Sequence, residues 1–206
     1  MSRLVLISAI SYLLGSIPFG YLLVRIFRGE DVRRSGSGNI GATNVSRRSP
    51  ALGALTLVLD AAKGFFAVQL AATYSPFTSG DPRIQRVMAA SALLAIMGHM
   101  FPVWLRFRGG KGVATALGAF LRFSPIAVVV AIIIFLMVVL VSRRISLGSI
   151  VTAALFPVSI WLLDRPCDPW VIALTATSAL LIIARHHQNI RRLLIGSEPK
   201  FSAGRK

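Results

Sequence analysis

The sequence is poor in acidic residues and in cysteine, and these shortages exclude several kinds of protein. Its 206 residues include seven Asp and Glu, three His and one Cys. The single cysteine, Cys167, cannot form an intrachain disulfide, a redox pair or a multi-cysteine zinc site. The carboxylates are scattered, and the His-Glu-x-x-His motif of zinc proteases is missing. We therefore expect no metal and no cofactor.

The sequence also has no low-complexity linker, so we expect a single domain over residues 1–206. What it has instead is a series of long apolar runs, and 55% of its residues are hydrophobic. Apolar runs of this length are typical of helices that cross a lipid bilayer. The sequence therefore predicts an all-α polytopic membrane protein.

The net charge is +16, from 23 Lys and Arg. In a soluble protein such a charge would indicate nucleic acid binding. Here the basic residues lie mostly between the apolar runs, where membrane topology and contact with anionic lipid or substrate explain them better. We expect no nucleic acid partner.

The apolar runs predict about seven crossings, at 4–24, 51–72, 87–105, 113–123, 125–141, 147–163 and 170–184. Most Lys and Arg then fall on one side, which the positive-inside rule assigns to the cytosol, with the N-terminus outside and the C-terminus inside. The run at 113–123 follows a Gly-Gly-Lys-Gly loop and spans only about 16 Å as a helix. It is too short to cross alone, so it is either buried among other helices or re-entrant.

Two features inside the crossings predict local structure. Gly15, Pro18 and Gly20 favour a kink and close helix contact in the first crossing. Asp60 and Lys63 are three residues apart and share one helix face, where a membrane charge is expected to be paired and turned inward. We expect a structural ion pair there, and a packing or hydrogen-bonding role for His99.

Three polar stretches, 35–48, 106–115 and 185–198, are all predicted on the cytosolic side. The first combines glycines and small polar residues with Arg47 and Arg48, which suits an anion. A polar loop that only fixes topology explains its composition equally well. The second flanks Lys111 with glycines, but it is not a Walker A loop, because Leu105 stands where the first glycine of that pattern is required. In the third, His186 and Asn189 share a helix face, so His186 is either an acid–base group or a structural one.

Six motifs occur together in order along nearly the whole chain: GSIPFG at 15–20, GSGNIGATN at 36–44, LDxxKG at 59–64, GHMFP at 98–102, GGKGVAT at 109–115 and RHxxNI at 185–190. With these motifs the sequence resembles the bacterial acyl-phosphate:glycerol-3-phosphate acyltransferase (PlsY) family. The resemblance implies an integral inner-membrane enzyme with a cytosolic active site and no metal requirement. Its reaction would transfer a fatty acyl group from acyl phosphate to the sn-1 hydroxyl of glycerol 3-phosphate, giving lysophosphatidic acid and phosphate, the first step of phospholipid synthesis.

The resemblance also implies roles for individual residues. The implied catalytic residues are Ser37, His186 and Asn189. The implied substrate-binding residues are Arg47, Lys111, Gly109, Gly110, Gly112, Asn44 and Thr43. Glu198 matches a residue linked to structural integrity, as we expect for Asp60 and Lys63. Membrane lipid is the expected surrounding, and a monomer the expected state.

The chemistry suits these residues, because both substrates carry phosphate and the polar stretches are rich in cations and glycine. An acyl phosphate is already activated, so positioning and charge neutralisation supply much of the rate. We therefore favour direct attack by the glycerol hydroxyl, without an acyl-enzyme. The alternative function is a transporter or flippase for a phosphorylated solute, supported by an internal echo between 38–43 and 110–115.

Overall fold

The computed structural model describes residues 3–78, 80–164 and 168–201, and its regular elements over these residues are helices. Cys167 lies outside the described residues. The helices are α1 (Arg3–Ser16), α2 (Phe19–Arg28), α3 (Ala42–Ser46), α4 (Pro50–Tyr74), α5 (Pro82–Met100), α6 (Val113–Phe123), α7 (Pro125–Ser142), α8 (Ile145–Leu163), α9 (Pro169–Arg185) and α10 (His187–Leu194).

The helices have the length and composition of membrane-spanning segments. Within the described residues, five stretches are long and apolar enough to cross, namely Arg3–Arg28, Pro50–Tyr74, Pro82–Leu105, Pro125–Ser142 and Ile145–Leu163. There α9 with α10 forms a sixth candidate, bent by 59°. Large apolar side chains stay exposed, such as Val141 at 85%, as a lipid-facing surface requires. The predicted all-α membrane fold is confirmed, and α6 is the short apolar helix expected after the glycine loop. The count of seven crossings and the orientation remain predictions.

The first crossing is broken between α1 and α2, as its sequence predicts. Pro18 precedes α2, and the backbone N–H of Phe19 donates to the carbonyl of Ile17 over 3.1 Å. Proline removes a backbone donor and disfavours helical geometry in the residue before it. At the break the Ile17 carbonyl also accepts a hydrogen bond from the side chain of Lys63 on α4.

The chain divides into two compact units, one up to Phe123 and one from Ser124. In the first, α4 packs on α6 and α1 on α5, with helix backbones in close approach. A Cβ on Gly64 would collide with the Thr115 carbonyl, and one on Gly118 with the Ala61 carbonyl. Small residues permit such approach in membrane proteins, where van der Waals packing holds helices together. The contact fixes α6, and with it the end of the glycine loop, against α4.

The second unit contains α7 to α10. After α10, the backbone N–H of Phe201 donates to the Arg143 carbonyl, which ties the end of the described chain to the turn between α7 and α8. Pro157 lies inside α8, and α9 gives way to α10 at His186. The expectation of one domain over the whole chain remains a prediction.

Candidate active site

The first polar stretch folds around the side chain of Asn44. Its buried amide nitrogen donates to the carbonyls of Val32, Ser35 and Asn39 over 3.2, 3.0 and 2.8 Å, and its oxygen accepts from the Ser37 N–H over 3.0 Å. These contacts of one side chain, with one N–H shared between two carbonyls, hold the loop in place of regular secondary structure. The implied binding role of Asn44 remains a prediction, because its polar atoms already serve the loop.

Ser37 and Arg47 are brought to the exposed side of this loop. Gly36 has a positive φ of 57°, which glycine adopts at little cost. A Cβ on Gly36 would collide with the Asn44 side chain and lie 3.3 Å from a guanidinium nitrogen of Arg47. The arginine therefore reaches back across the turn that carries Ser37. Both residues are exposed, and so is Thr43 on α3.

A small apolar core joins the first two polar stretches. Leu105, just before the glycine loop, is buried in one cluster with Val24, Val32, Ile40 and Val45. No sequence pattern predicts this cluster, since its residues are far apart along the chain and form no run. Their packing anchors the first loop beside the segment that leads into the second, all within the first unit.

The glycine loop packs tightly on the end of α5. The N–H groups of Gly109 and Gly110 donate to the carbonyls of Met100 and His99 over 3.1 and 3.0 Å. A Cβ on Gly110 would collide with the His99 ring at Nε2. These two N–H groups, which a phosphate-binding loop would point at its ligand, thus donate to carbonyls of the protein itself. Lys111 is partly buried, and Gly112 follows with a φ of 84°.

Asp60, Lys63 and His99 form a buried polar network behind this loop, and they are 1%, 4% and 3% exposed. Lys63 Nζ lies 2.8 Å from Asp60 Oδ1 in an ion pair, although Oδ1 has no partner in hydrogen-bond geometry. The ammonium also donates to the Ile17 carbonyl over 2.7 Å and lies 3.0 Å from His99 Nδ1. Asp60 and Lys63 are paired and His99 takes part in hydrogen bonding, as predicted, whereas the structural role of the pair remains a prediction. No local pattern in the sequence indicates that His99 joins the pair.

A cleft of about 590 Å³ opens beside the first loop. Arg25, Arg34 and Arg48 line it with the acids Glu30 and Asp31. The predicted site residues do not line it, and the first polar stretch contributes Ser35 and Arg48. Its mixed charge makes it a poorer phosphate site than the surface carrying Arg47.

In the second unit, the third polar stretch is organised around Glu198. This buried carboxylate accepts from Ser146 Oγ and Asn189 Nδ2 over 2.6 Å each and from Arg192 Nε over 2.7 Å. Burial raises the pKa of Glu198, but these hydrogen bonds outweigh it and hold the pKa below its ordinary value. A structural role for Glu198 fits these contacts. Ser146 is a partner that sequence reasoning missed, because it lies 52 residues away.

His186 sits buried at the bend between α9 and α10. Its Nδ1 lies 2.7 Å from the Ile182 carbonyl, so Nδ1 carries the proton and donates it. In the neutral ring Nε2 then bears the lone pair, the state that a proton acceptor needs. The catalytic roles of His186 and Asn189 remain predictions, as do those of Ser37 and the binding residues in the first unit.

Fold and site together define a helical integral membrane protein with cation-bearing loops suited to phosphate. The family model described as glycerol-3-phosphate acyltransferase matches residues 5–196, and the chain belongs to that family. A glycerol-3-phosphate acyltransferase of Syntrophotalea carbinolica is 47% identical over 94% of this chain and 95% of its own. Crystal structures of PlsY, an integral membrane glycerol 3-phosphate acyltransferase, are similar in the glycerol 3-phosphate form (TM-score 0.88, 36% identity) and the lysophosphatidic acid form (TM-score 0.85, 34%), each over 98% of this chain and 96% of the other. The chain is thus a bacterial membrane protein, and the resemblance seen in its motifs is confirmed.

Proposed function

We propose that the protein transfers a fatty acyl group from acyl phosphate to the sn-1 hydroxyl of glycerol 3-phosphate. The observation that carries this proposal is the match of the acyltransferase family along nearly the whole chain. The glycerol oxygen attacks the acyl carbonyl carbon, and the bond from that carbon to the phosphate oxygen breaks. Phosphate leaves with the electron pair, and the hydroxyl proton passes to a base. The products are lysophosphatidic acid and phosphate. The family match leaves no support for the transporter alternative.

The cations bind the two phosphate groups in this proposal. Arg47 offers a planar fork of donors beside the Ser37 turn, and Lys111 offers an ammonium from the glycine loop. Gly109 and Gly110 let that loop lie against α5, where side chains would clash, and Gly112 adopts a positive φ of 84°. Thr43 and Ser37 supply hydroxyl groups near the same surface. Neutralising phosphate charge also stabilises the leaving group as the bond breaks.

The proton leaves through His186 or through the donor's own phosphate. A neutral His186 with its lone pair on Nε2 suits the first route. Asn189, whose amide nitrogen donates to Glu198, also carries a carbonyl-type oxygen, which can accept a hydrogen bond from a donor group. No acyl-enzyme is required, because acyl phosphate is already an activated anhydride.

The test is an assay of purified protein in detergent with labelled glycerol 3-phosphate. We expect lysophosphatidic acid to form with palmitoyl phosphate and not with an equal concentration of a palmitoyl thioester. Product from the thioester alone would contradict the proposed donor. Activity should survive a chelator, since no metal is proposed, and loss that added Mg²⁺ restores would contradict that part.

We propose that the protein acts as a monomer in the lipid of the inner membrane, with its active site facing the cytosol. This orientation places the native Cys167 outside, so an impermeant maleimide should label it in spheroplasts. A Lys200→Cys variant in a Cys167→Ser background should be labelled only after permeabilisation. The reverse pattern would contradict the orientation. Light scattering of the detergent-solubilised protein tests the monomer.

A further inference from the structure

We propose that His99 is a positioning residue that sets the place of the glycine loop from behind. The inference rests on the proposed binding of glycerol 3-phosphate by the loop around Lys111. His99 itself is buried and touches no substrate in this account. It acts through Gly110, the residue before Lys111, and is held in turn by Lys63 and Asp60.

The contacts of Lys63 fix the proton on the His99 ring. An ammonium has three N–H donors and no acceptor. Lys63 Nζ is surrounded by the Ile17 carbonyl at 2.7 Å, Asp60 Oδ1 at 2.8 Å and His99 Nδ1 at 3.0 Å. Toward an ammonium Nδ1 can only accept, which puts the proton of a neutral ring on Nε2, and the same Nδ1 lies 3.5 Å from Asp60 Oδ1.

Nε2 is the ring atom that faces the loop. A Cβ added at Gly110 would fall on Nε2, with the two neighbouring ring carbons next closest. The backbone of His99 holds the same residue, because its carbonyl accepts from the Gly110 N–H over 3.0 Å. Ring and backbone of one residue thus hold Gly110 from two directions. Lys111 is the next residue along the chain, so the position of its backbone depends on this contact.

The network of Lys63, Asp60 and His99 places charged groups in the protein interior, and their burial costs free energy that its role in positioning the glycine loop would explain. Burying an ammonium inside a membrane protein is unfavourable, and it is retained when its donors are satisfied. Lys63 lies on α4, His99 on α5, and the Ile17 carbonyl at the break between α1 and α2. The ring that contacts Gly110 is thereby located relative to three helical segments, so the loop cannot shift without disturbing the contacts of this buried network.

The decisive variant is His99→Asn. Its side-chain oxygen can take over the role of Nδ1 toward Lys63, but no atom remains against Gly110. We expect the KM for glycerol 3-phosphate to rise by about tenfold to a hundredfold, as for a misplaced binding group. The KM for acyl phosphate should stay within about twofold of the wild type. The unfolding temperature should change little, because the asparagine oxygen still accepts from Lys63.

Lys111→Ala serves as the matched control, since it removes the binding group itself. If Lys111→Ala leaves the KM for glycerol 3-phosphate unchanged, the loop does not bind that substrate and the proposed function of the loop fails. If Lys111→Ala raises it and a folded His99→Asn does not, the positioning role is overturned. Equal rises for both substrates with a lower unfolding temperature would also overturn it, in favour of a general structural role.

Gly110→Ala tests the same contact with the network intact. Its Cβ would displace the ring, so we expect a selective rise in the KM for glycerol 3-phosphate even if His99→Asn does not fold. In the His99→Asn background the added methyl should cost little more, because the ring is gone. An unchanged KM in Gly110→Ala, or additive effects in the double variant, would contradict the inference.

Discussion

The side-chain amide of Asn189 donates a 2.6 Å hydrogen bond to Glu198, nine residues further along the chain. Glu198 accepts from Ser146 and Arg192 as well, so one buried carboxylate holds the start of α8, the α10 helix and the segment after it. The predicted catalytic amide is therefore oriented by an acid that the family resemblance links to integrity. This arrangement connects the stability of the second unit to the geometry of its polar site.

Replacing this acid should destabilise the protein more than replacing an exposed one. Glu198→Gln keeps the shape but turns one acceptor oxygen into a donor facing other donors. We expect a loss of about 1–3 kcal/mol in the free energy of unfolding, the usual cost of an unsatisfied buried group. Glu30→Gln is the control, because Glu30 is half exposed and lies 3.9 Å from Arg48. Denaturant unfolding in detergent would measure the loss of unfolding free energy in both variants. Equal losses would contradict the stabilising role of Glu198.

Glu198 should also make stability depend on acid. Its folded pKa lies below the ordinary value of 4.5, so its contribution is complete above about pH 4.5 and is lost as the pH falls through the lower folded pKa. The unfolding temperature of the wild type should therefore fall in that acid range. The decline should be smaller in Glu198→Gln, which has no proton to take up. Parallel curves would assign the acid sensitivity to other groups.

The loop around Asn44 should be intolerant of an acid at that position. Asn44→Asp keeps the size and the acceptor for the Ser37 N–H, but it sets oxygen lone pairs or a charge against three carbonyls. We expect activity to fall by at least about a hundredfold, with a loss of stability above about 2 kcal/mol. Thr43→Ala, on the exposed neighbour, should leave the unfolding temperature unchanged. A stable and active Asn44→Asp protein would contradict the assigned role of this side chain.

Arg47 should not be replaceable by lysine. The lysine keeps the charge but loses the planar fork that suits phosphate. We expect kcat/KM to fall by about tenfold to a hundredfold in Arg47→Lys, as for the loss of a charge-assisted hydrogen bond. Arg48→Lys, the adjacent exposed arginine, should stay within about twofold of the wild type. Full activity in Arg47→Lys would show that charge alone suffices, and equal losses in the two variants would contradict a specific role for the Arg47 fork.

The helices and the ion pair could be predicted from the sequence because their signals are local. Apolar runs gave α4, α7 and α8 to within a few residues, and the spacing of Asp60 and Lys63 placed them on one helix face. The break at Pro18 follows from proline geometry. The transmembrane character of the chain needed no tertiary information.

The contacts that build the site could not be predicted in this way. His99 reaches Lys63 across 36 residues and Ser146 reaches Glu198 across 52, and such pairs depend on how the helices pack. The apolar cluster with Leu105 is formed by scattered residues that create no pattern. The glycines of the second loop suggested N–H groups that face a phosphate. In the structure two of these N–H groups donate instead to carbonyls at the end of α5.

The most direct measurement is the release of phosphate from palmitoyl phosphate by purified protein, with and without glycerol 3-phosphate. Direct transfer predicts that release depends on the acceptor and that lysophosphatidic acid appears in equal amount. It also predicts that no acyl group is found on the protein after denaturation. A burst of phosphate without acceptor, together with hydroxylamine-sensitive acyl groups on Ser37, would contradict direct attack.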